Sequence, residues 1–242
     1  MIFMAFRPKF SRTMGFKAVV AIGMACAATP ALADDLQQQV LAGARAVSDT
    51  DFAFLQSFSV QRVGEPAKDY VSRYDPRRAA GSRWTLVRAE GRAPTAKELT
   101  NFAKQAGKNP VPSYGRIADW FGAAAKRVGA DGGKVTYRFA SLPKGTVKMG
   151  SYDASANTAA EAIVNTSGAP PFVERVRFVS IKPFRMMLIA KVDKMATVVT
   201  YKVMPNNRPM VAGSITDIAG SAMGKSGTIK MLATYSDIRA AR

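Results

Sequence analysis

From Gly133 to Ile238 the chain repeats one pattern: short segments in which apolar and polar residues alternate, with no helical stretch between them. Val135, Tyr137 and Phe139 share one face, and Val147 and Met149 share another. Ala160–Asn165, Val173–Ile181, Ala196–Met204, Met210–Ala219 and Thr228–Ile238 follow, separated by turn clusters such as Ser167-Gly168-Ala169-Pro170-Pro171 and Pro205-Asn206-Asn207. A period of two is the signature of a strand with one buried face. Parallel neighbours need a crossover of a dozen or more residues, so strands this closely spaced pair antiparallel. The pattern also holds upstream. Phe52, Phe54, Phe58 and Val60 alternate with small polar residues, Gly64-Glu65-Pro66 makes a turn, and Lys68–Tyr74 returns as a hairpin partner. Asp75-Pro76-Arg77-Arg78 breaks that strand, because proline cannot donate to a central ladder, and Arg83–Val87 is a third strand with Trp84 and Leu86.

Helical signals occur in two places. Asp34 and Asp35 precede an apolar stripe of Leu36, Val40, Leu41, Ala44 and Val47, with acidic residues at the positive end of the helix dipole. Thr95-Ala96-Lys97-Glu98 is a capping box after Pro94, opening a helix with Leu99, Phe102 and Ala106 that stops at Gly107. Ser113 can cap a second short helix with the stripe Tyr114, Ile117, Trp120 and Phe121, ended by Gly122. Roughly eight or nine strands without βαβ alternation predict an α+β domain over residues 34–242. Its core is a curved antiparallel β-sheet, an open half-barrel. The helices of 34–48 and of the insertion 95–122 pack on or into its concave face. A two-sheet sandwich with peripheral helices is the alternative.

Residues 1–33 read differently. Arg7, Lys9, Arg12 and Lys17 precede an uncharged run, Ala18–Ala28, and Ala31-Leu32-Ala33 offers a cleavage site before Asp34. This is the anatomy of a cleaved signal peptide, and the run is shorter than the roughly 20 residues that span a bilayer. Removing 33 of the 242 residues leaves 209. The leader holds four basic and no acidic side chains, so the formal charge of +18 becomes +14. A periplasmic location follows as the expectation. A lipid anchor would instead require Cys26 as the first mature residue, but Gly23-Met24-Ala25 lacks the branched apolar residue expected three places before it.

The chain contains no histidine, and its single cysteine lies in the leader. Ser-His-Asp and Cys-His nucleophile systems, Cys/His zinc sites, iron–sulfur clusters and disulfides are thereby excluded from the mature protein. No cofactor and no metal are expected. Nearly half of the residues are apolar, enough for an ordinary core at this length.

Short strings that imitate catalytic motifs fail on context. Ser141-Leu142-Pro143-Lys144, Ser155-Ala156-Asn157 and Lys225-Ser226-Gly227 occur in the order of the penicillin-binding-protein elements. However, Ser141 ends a strand where the nucleophile should open a helix, and the first two elements leave no room for a helical subdomain. Gly220–Ser226 resembles a phosphate loop with one residue too few between its glycines, and it runs into a strand. Asn165-Thr166-Ser167 is a formal glycosylation sequon. Asp49 and Asp51 flank a helix-to-strand turn, where capping is the expected role. No enzyme activity is expected.

Two surfaces remain as candidates. The run Pro183–Ala190 contains Met186, Met187, Leu188 and Ile189, and unbranched methionines adapt to many apolar shapes. With Phe54, Phe58, Tyr70 and Trp84 on neighbouring strands, these residues could line a lipid hollow; as core filler they would need no function. Basic residues are spread along the strands, among them Arg73, Arg77, Arg78, Arg175 and Arg177. They suit an anionic membrane surface, or a solvated sheet face that resists aggregation. Aromatic and basic residues do not interleave as a nucleic-acid platform requires, so no nucleic-acid partner is expected.

Taken in order, a leader, one amphipathic helix, the aromatic hairpin begun by Phe52–Arg62, central helices and a long meander closing on Tyr235-Ser236-Asp237-Ile238-Arg239 resemble the periplasmic lipoprotein carriers of Gram-negative bacteria, the LolA/LolB-like superfamily. The resemblance implies a half-closed barrel plugged by helices that holds acyl chains of lipids or lipoproteins. The insertion 95–122 departs from that pattern, no lid arginine motif is found at a matching position, and no functional residue is carried over. The sequence therefore predicts a monomeric, non-enzymatic carrier of an acylated ligand, or alternatively a basic envelope protein that uses its sheet face on anionic surfaces. The intact mass of the exported protein should correspond to a chain beginning at Asp34; a diacylated Cys26 terminus would overturn the processing.

Overall fold

The computed structural model describes residues 33–106, 111–150, 152–168, 170–187 and 190–241. All fall within one compact unit, Ala31–Arg242. The expected leader with Cys26, the Gly107 helix stop, Leu188, Ile189 and the side chain of Met187 lie outside the described residues.

In chain order the elements are α1 (Asp35–Arg45), β1 (Phe52–Arg62), β2 (Lys68–Tyr74), β3 (Trp84–Ala89), α2 (Ala96–Ala106), β4 (Lys126–Asp131) and β5 (Lys134–Phe139). They continue with β6 (Lys148–Met149), β7 (Tyr152–Asp153), β8 (Thr158–Asn165), β9 (Phe172–Ser180), β10 (Phe184–Met187), β11 (Ala190–Val203), β12 (Pro209–Ala222) and β13 (Lys225–Ala240). One antiparallel sheet runs β3-β2-β1-β13-β12-β11-β9-β8-β5-β4, with β10 paired to the start of β11. Its two ends do not meet, so it is an open sheet and not a closed barrel. The two-sheet sandwich is thereby replaced by a single large sheet and the small β6–β7 hairpin. After the β1–β3 meander the chain leaves for the far edge, and the last strand, β13, returns to pair with the first.

The edges are blunted in different ways. Every residue of β4 is exposed, with Lys126 and Arg127 on it, a charged edge that resists pairing with another chain. This strand has no apolar face, and so the alternation on which sequence prediction relies is missing. At the other edge α2 packs against β3. Its capping box is present: the Thr95 N–H donates to Glu98 Oε2 at 2.7 Å, and the Glu98 N–H donates to Thr95 Oγ1. Arg92 pairs with Glu98 at 2.9 Å and, with the cap, holds that carboxyl down at about 2. Leu99 remains 43 % exposed. The expected insertion 95–122 thus divides, with α2 at the sheet edge and only its second part on the inner face.

That second part is a 3₁₀ turn, Tyr114–Asp119, capped by the Ser113 hydroxyl. With α1 it forms the cover of one region of the sheet. Val40, Leu41 and Ala44 of α1 join Tyr114, Ile117, Trp120 and Phe121 over Val135, Tyr137, Phe139, Ala162, Val164 and Val176. Polar ties fix the cover. Asp34 and Gln37 form a capping box, the Gln37 amide donates to the Phe121 carbonyl at 2.9 Å, and Tyr137 Oη donates to the Asp34 carboxylate at 2.8 Å. The Val173 N–H donates to Tyr114 Oη at 2.8 Å. Gly115 passes so close to α1's C-terminal turn that an added Cβ would lie 2.6 Å from the Val47 carbonyl oxygen.

Phe121 is fully buried at the centre of this cluster. Phe121→Ala should therefore cost about 3–5 kcal/mol in chemical denaturation. Gly115→Ala should cost about 1–3 kcal/mol by overpacking the α1 contact.

Candidate functional site

Residues directly opposite each other across a ladder point to the same face, so the register maps the inner face in rows. One row reads Phe58, Ala233, Ser214, Val199, Val176, Ala162 and Tyr137. The next reads Val60, Met231, Thr216, Thr197, Phe178, Ala160 and Phe139. A third carries Ile229, Ile218 and Met195. The helical cover ends at Trp120, whose ring stands edge-on to Phe139 and Phe178 at 5.0 and 5.4 Å.

Beyond Trp120 a second cover begins. Tyr152 of β7 stacks on Phe184 of β10 with ring centroids 5.1 Å apart, and this pair packs with Val192 and Met195 of β11. Between the two covers the inner face is open. A hollow of about 490 Å³ is floored by Phe178, Thr197, Thr216, Met231, Met195 and Ile218 and roofed by Thr146–Gly150 and Met186. Four methionines from four strands (β6, β10, β11 and β13) meet there. Its polar floor groups are satisfied by each other, Thr197 Oγ1 and Thr216 Oγ1 lying 3.0 Å apart. The volume falls within the roughly 300–1,000 Å³ of small-ligand pockets.

The roof is built by one carboxylate. Asp153 accepts the Ser155 hydroxyl at 2.6 Å, the Ser155 N–H at 3.0 Å and the Gly145 N–H at 2.8 Å. Ser155 Oγ in turn accepts the Val147 N–H at 3.0 Å. These bonds, the Ser155 hydroxyl foremost, hold the Asp153 carboxyl below its ordinary 3.8.

The residues expected to line one hollow separate into two groups. Phe54 is 3 % exposed and lies in an aromatic cluster with Tyr74, Trp84 and Tyr235 at centroid distances of 5.2, 5.7 and 5.5 Å. The space left beside it is about 10 Å³, too little for a ligand. Phe58 packs against this cluster, and Phe58 and Tyr70 border a separate surface depression of about 440 Å³. Met186 sits in the roof of the methionine hollow. Met149, Met231, Phe178 and Ile218, which the sequence reading did not single out, complete it. Each stands in a recognisable strand, but its strand-mates gave no reason to choose it.

Arg73, Arg175 and Arg177 project from the outer face and are exposed. Arg77 forms a two-pronged pair with Asp75 at 2.9 Å, and Arg78 donates to Thr85 Oγ1 at 2.8 Å. Asp51, 3 % exposed, accepts the Ser48 N–H at 2.9 Å and Arg208 Nη1 at 2.6 Å, tying the turn after α1 to the start of β12. Among the described residues no group of three or more acidic, His or Cys side chains could hold a metal.

No family model and no curated protein matches the chain. Among solved structures, a DUF1329 family protein from Desulfovibrio piger is similar over 85 % of this chain and 90 % of that one, with 10 % sequence identity and a TM-score of 0.38.

A depressed carboxyl stabilises the folded state above its ordinary pKa, and this contribution is lost as pH falls through the lowered folded value. The roof should therefore loosen only on strong acidification in the wild type. In Asp153→Ala the Gly145 and Ser155 amides should exchange faster already at neutral pH, as read by NMR hydrogen exchange.

Proposed function

We propose that the protein is an exported, non-enzymatic binding protein that takes the acyl chain of a lipid or lipoprotein into the methionine hollow, in the manner of the LolA/LolB-like carriers its element order resembles. The observation that carries this reading is the hollow itself: a half-open space on the inner face where four methionines, with their unbranched, deformable side chains, meet Phe178, Ile218 and Val147. The composition supports binding over catalysis, since the chain beyond the leader offers neither histidine nor cysteine.

The energetics suffice. The floor crosses β9, β11, β12 and β13, about 14 Å at ~4.8 Å per strand. A fourteen-carbon chain gains roughly 11 kcal/mol at ~0.8 kcal/mol per buried CH₂. Ordering and association remove about 4 kcal/mol or more of this, leaving at most about 7 kcal/mol, or an affinity of about 10 micromolar. The Thr197–Thr216 pair lets a carbonyl or hydroxyl approach the floor without meeting an unpaired group.

A fluorescent fatty acid titrated into the mature protein tests the reading. Wild type should bind it at a concentration of about 10 micromolar. Met231→Glu should weaken binding about tenfold or more while the circular dichroism spectrum is kept, because water reaches this half-open position. Phe58→Glu lies outside the hollow lining and should bind within about twofold of wild type. A wild type that binds no acyl probe would overturn the proposal, as would Met231→Glu binding normally.

A further inference from the structure

The strands that floor the hollow alternate, and their other residues form a second concavity on the opposite face. This trough has a volume of about 830 Å³. Ala196 and Ala219 lie among its lining residues, and its cations are Arg177 of β9, Lys194 of β11 and Lys230 of β13, with Arg62 of β1 at its end paired to Glu65 at 3.6 Å. Its shape has a cause in the sheet. β11 and β12 lose register between Val192 and Lys194, and such a bulge bends the strand and re-aims the side chain that follows it. Gly220 lets β12 follow the bend: a Cβ there would lie 2.2 Å from the Lys191 carbonyl oxygen.

Arg177, Lys194 and Lys230 are uncommitted, unlike Arg62. Among the described residues none of them forms an ion pair, although acidic residues are close in sequence or register. Glu161, opposite Arg177, is taken by Arg138 at 3.1 Å, and Asp193, beside Lys194, is taken by Lys191. Asp217, the cross-strand partner of Lys230, is the single acidic residue lining the trough. This contrasts with Arg77, whose charge is already met by Asp75.

We infer that the trough is a binding site for a ligand bearing two or more phosphates. The spacing argues for more than one anion. Arg177 and Lys230 stand three strand spacings apart, about 14 Å, so their heads cannot converge on one phosphate without leaving Lys194 idle. Guanidinium and ammonium groups both serve phosphate, the first as a fork and the second as a point charge. The alanines set no polar group against the rest of the ligand. The trough and the hollow share Met195 and Ile218 in their linings, but none of the trough's cations lines the hollow, so the inference does not rest on the acyl-binding proposal.

The experiment uses the mature protein with two probes, inositol hexakisphosphate in solution and phosphatidylcholine vesicles with or without cardiolipin. Wild type should bind at least one anionic probe and not plain phosphatidylcholine, with affinity falling as salt screens the charges. The double variant Lys194→Glu/Lys230→Glu should weaken binding about tenfold or more, whereas Asp217→Asn should strengthen it about two- to threefold. Arg77→Glu/Arg78→Glu makes the same change in net charge away from the trough and should alter binding less than about twofold. Binding of the soluble probe assigns the site to the phosphate cluster itself, and binding of cardiolipin vesicles alone assigns it to a lipid-borne head group. Absence of binding in both arms, or equal losses in the two double variants, would overturn the inference. All variants should keep wild-type acyl-probe affinity.

Discussion

The structure depends on a mismatch of area. An antiparallel sheet of this width presents an inner face running from Val60 on β1 to Phe139 on β5, and that face must be removed from water or left as a cavity. One eleven-residue helix and a single 3₁₀ turn cover the β5–β8–β9 side. A hairpin with two residues in each strand and the short β10 cover the start of β11. α2 could have extended the cover but is placed at the β3 edge. What neither cover packs against directly is the row Met231, Thr216 and Thr197, with Phe178 at its border beside Trp120, and the hollow is there because the cover is incomplete.

The two covers differ in how firmly they are tied. The helical one rests on fully buried side chains (Val40, Tyr114, Ile117 and Phe121) and on long-range hydrogen bonds donated by Gln37 and Tyr137 and accepted by Tyr114. The hairpin roof has one stacked aromatic pair, a buried cluster of only Ala154, Phe184, Val192 and Met195, and a half-buried local network around Asp153 and Ser155. Regions with fewer buried apolar contacts open at lower free energy than a larger core does. The roof is therefore the more weakly held of the two covers, while the helical cover keeps the sheet in one shape.

Much of this was legible in the sequence, for identifiable reasons. β2 was expected at Lys68–Tyr74 and found there, because a turn and a proline bracket it. Strands β8, β9, β11, β12 and β13 and the stripe Tyr114, Ile117, Trp120 and Phe121 were legible because each has one buried face, whereas Phe184–Met187 read only as an apolar run and is the short strand β10. β4 was not, since all six of its residues are exposed and carry no alternation. The hollow escaped for a different reason. Its lining comes one or two residues at a time from elements scattered between Thr146 and Met231, and only the register brings them together. A local run such as Pro183–Ala190 is visible in sequence, whereas a row across four strands is not. The aromatics Phe54 and Trp84 looked like lining because they are large and alternate; Tyr74 and Tyr235 from adjoining strands fill the space between them.

The same register gives the sheet two chemistries. Arg177 and Phe178, Lys194 and Met195, Asp217 and Ile218, and Lys230 and Met231 are neighbours in sequence, and in each pair the first residue lines the outer trough and the second the hollow. A one-residue slip of any of these strands would exchange the two, placing a charge against the apolar roof and a methionine or phenylalanine in the basic trough. Such a slip costs the burial of an apolar side chain and the desolvation of a charged one at once. The pairing of unlike residues therefore does more than supply two surfaces. It locks the long β11–β12–β13 meander in register where turns alone would hold it weakly, and so keeps the bulge at Asp193, with the concavity it makes, at a fixed place in the sheet.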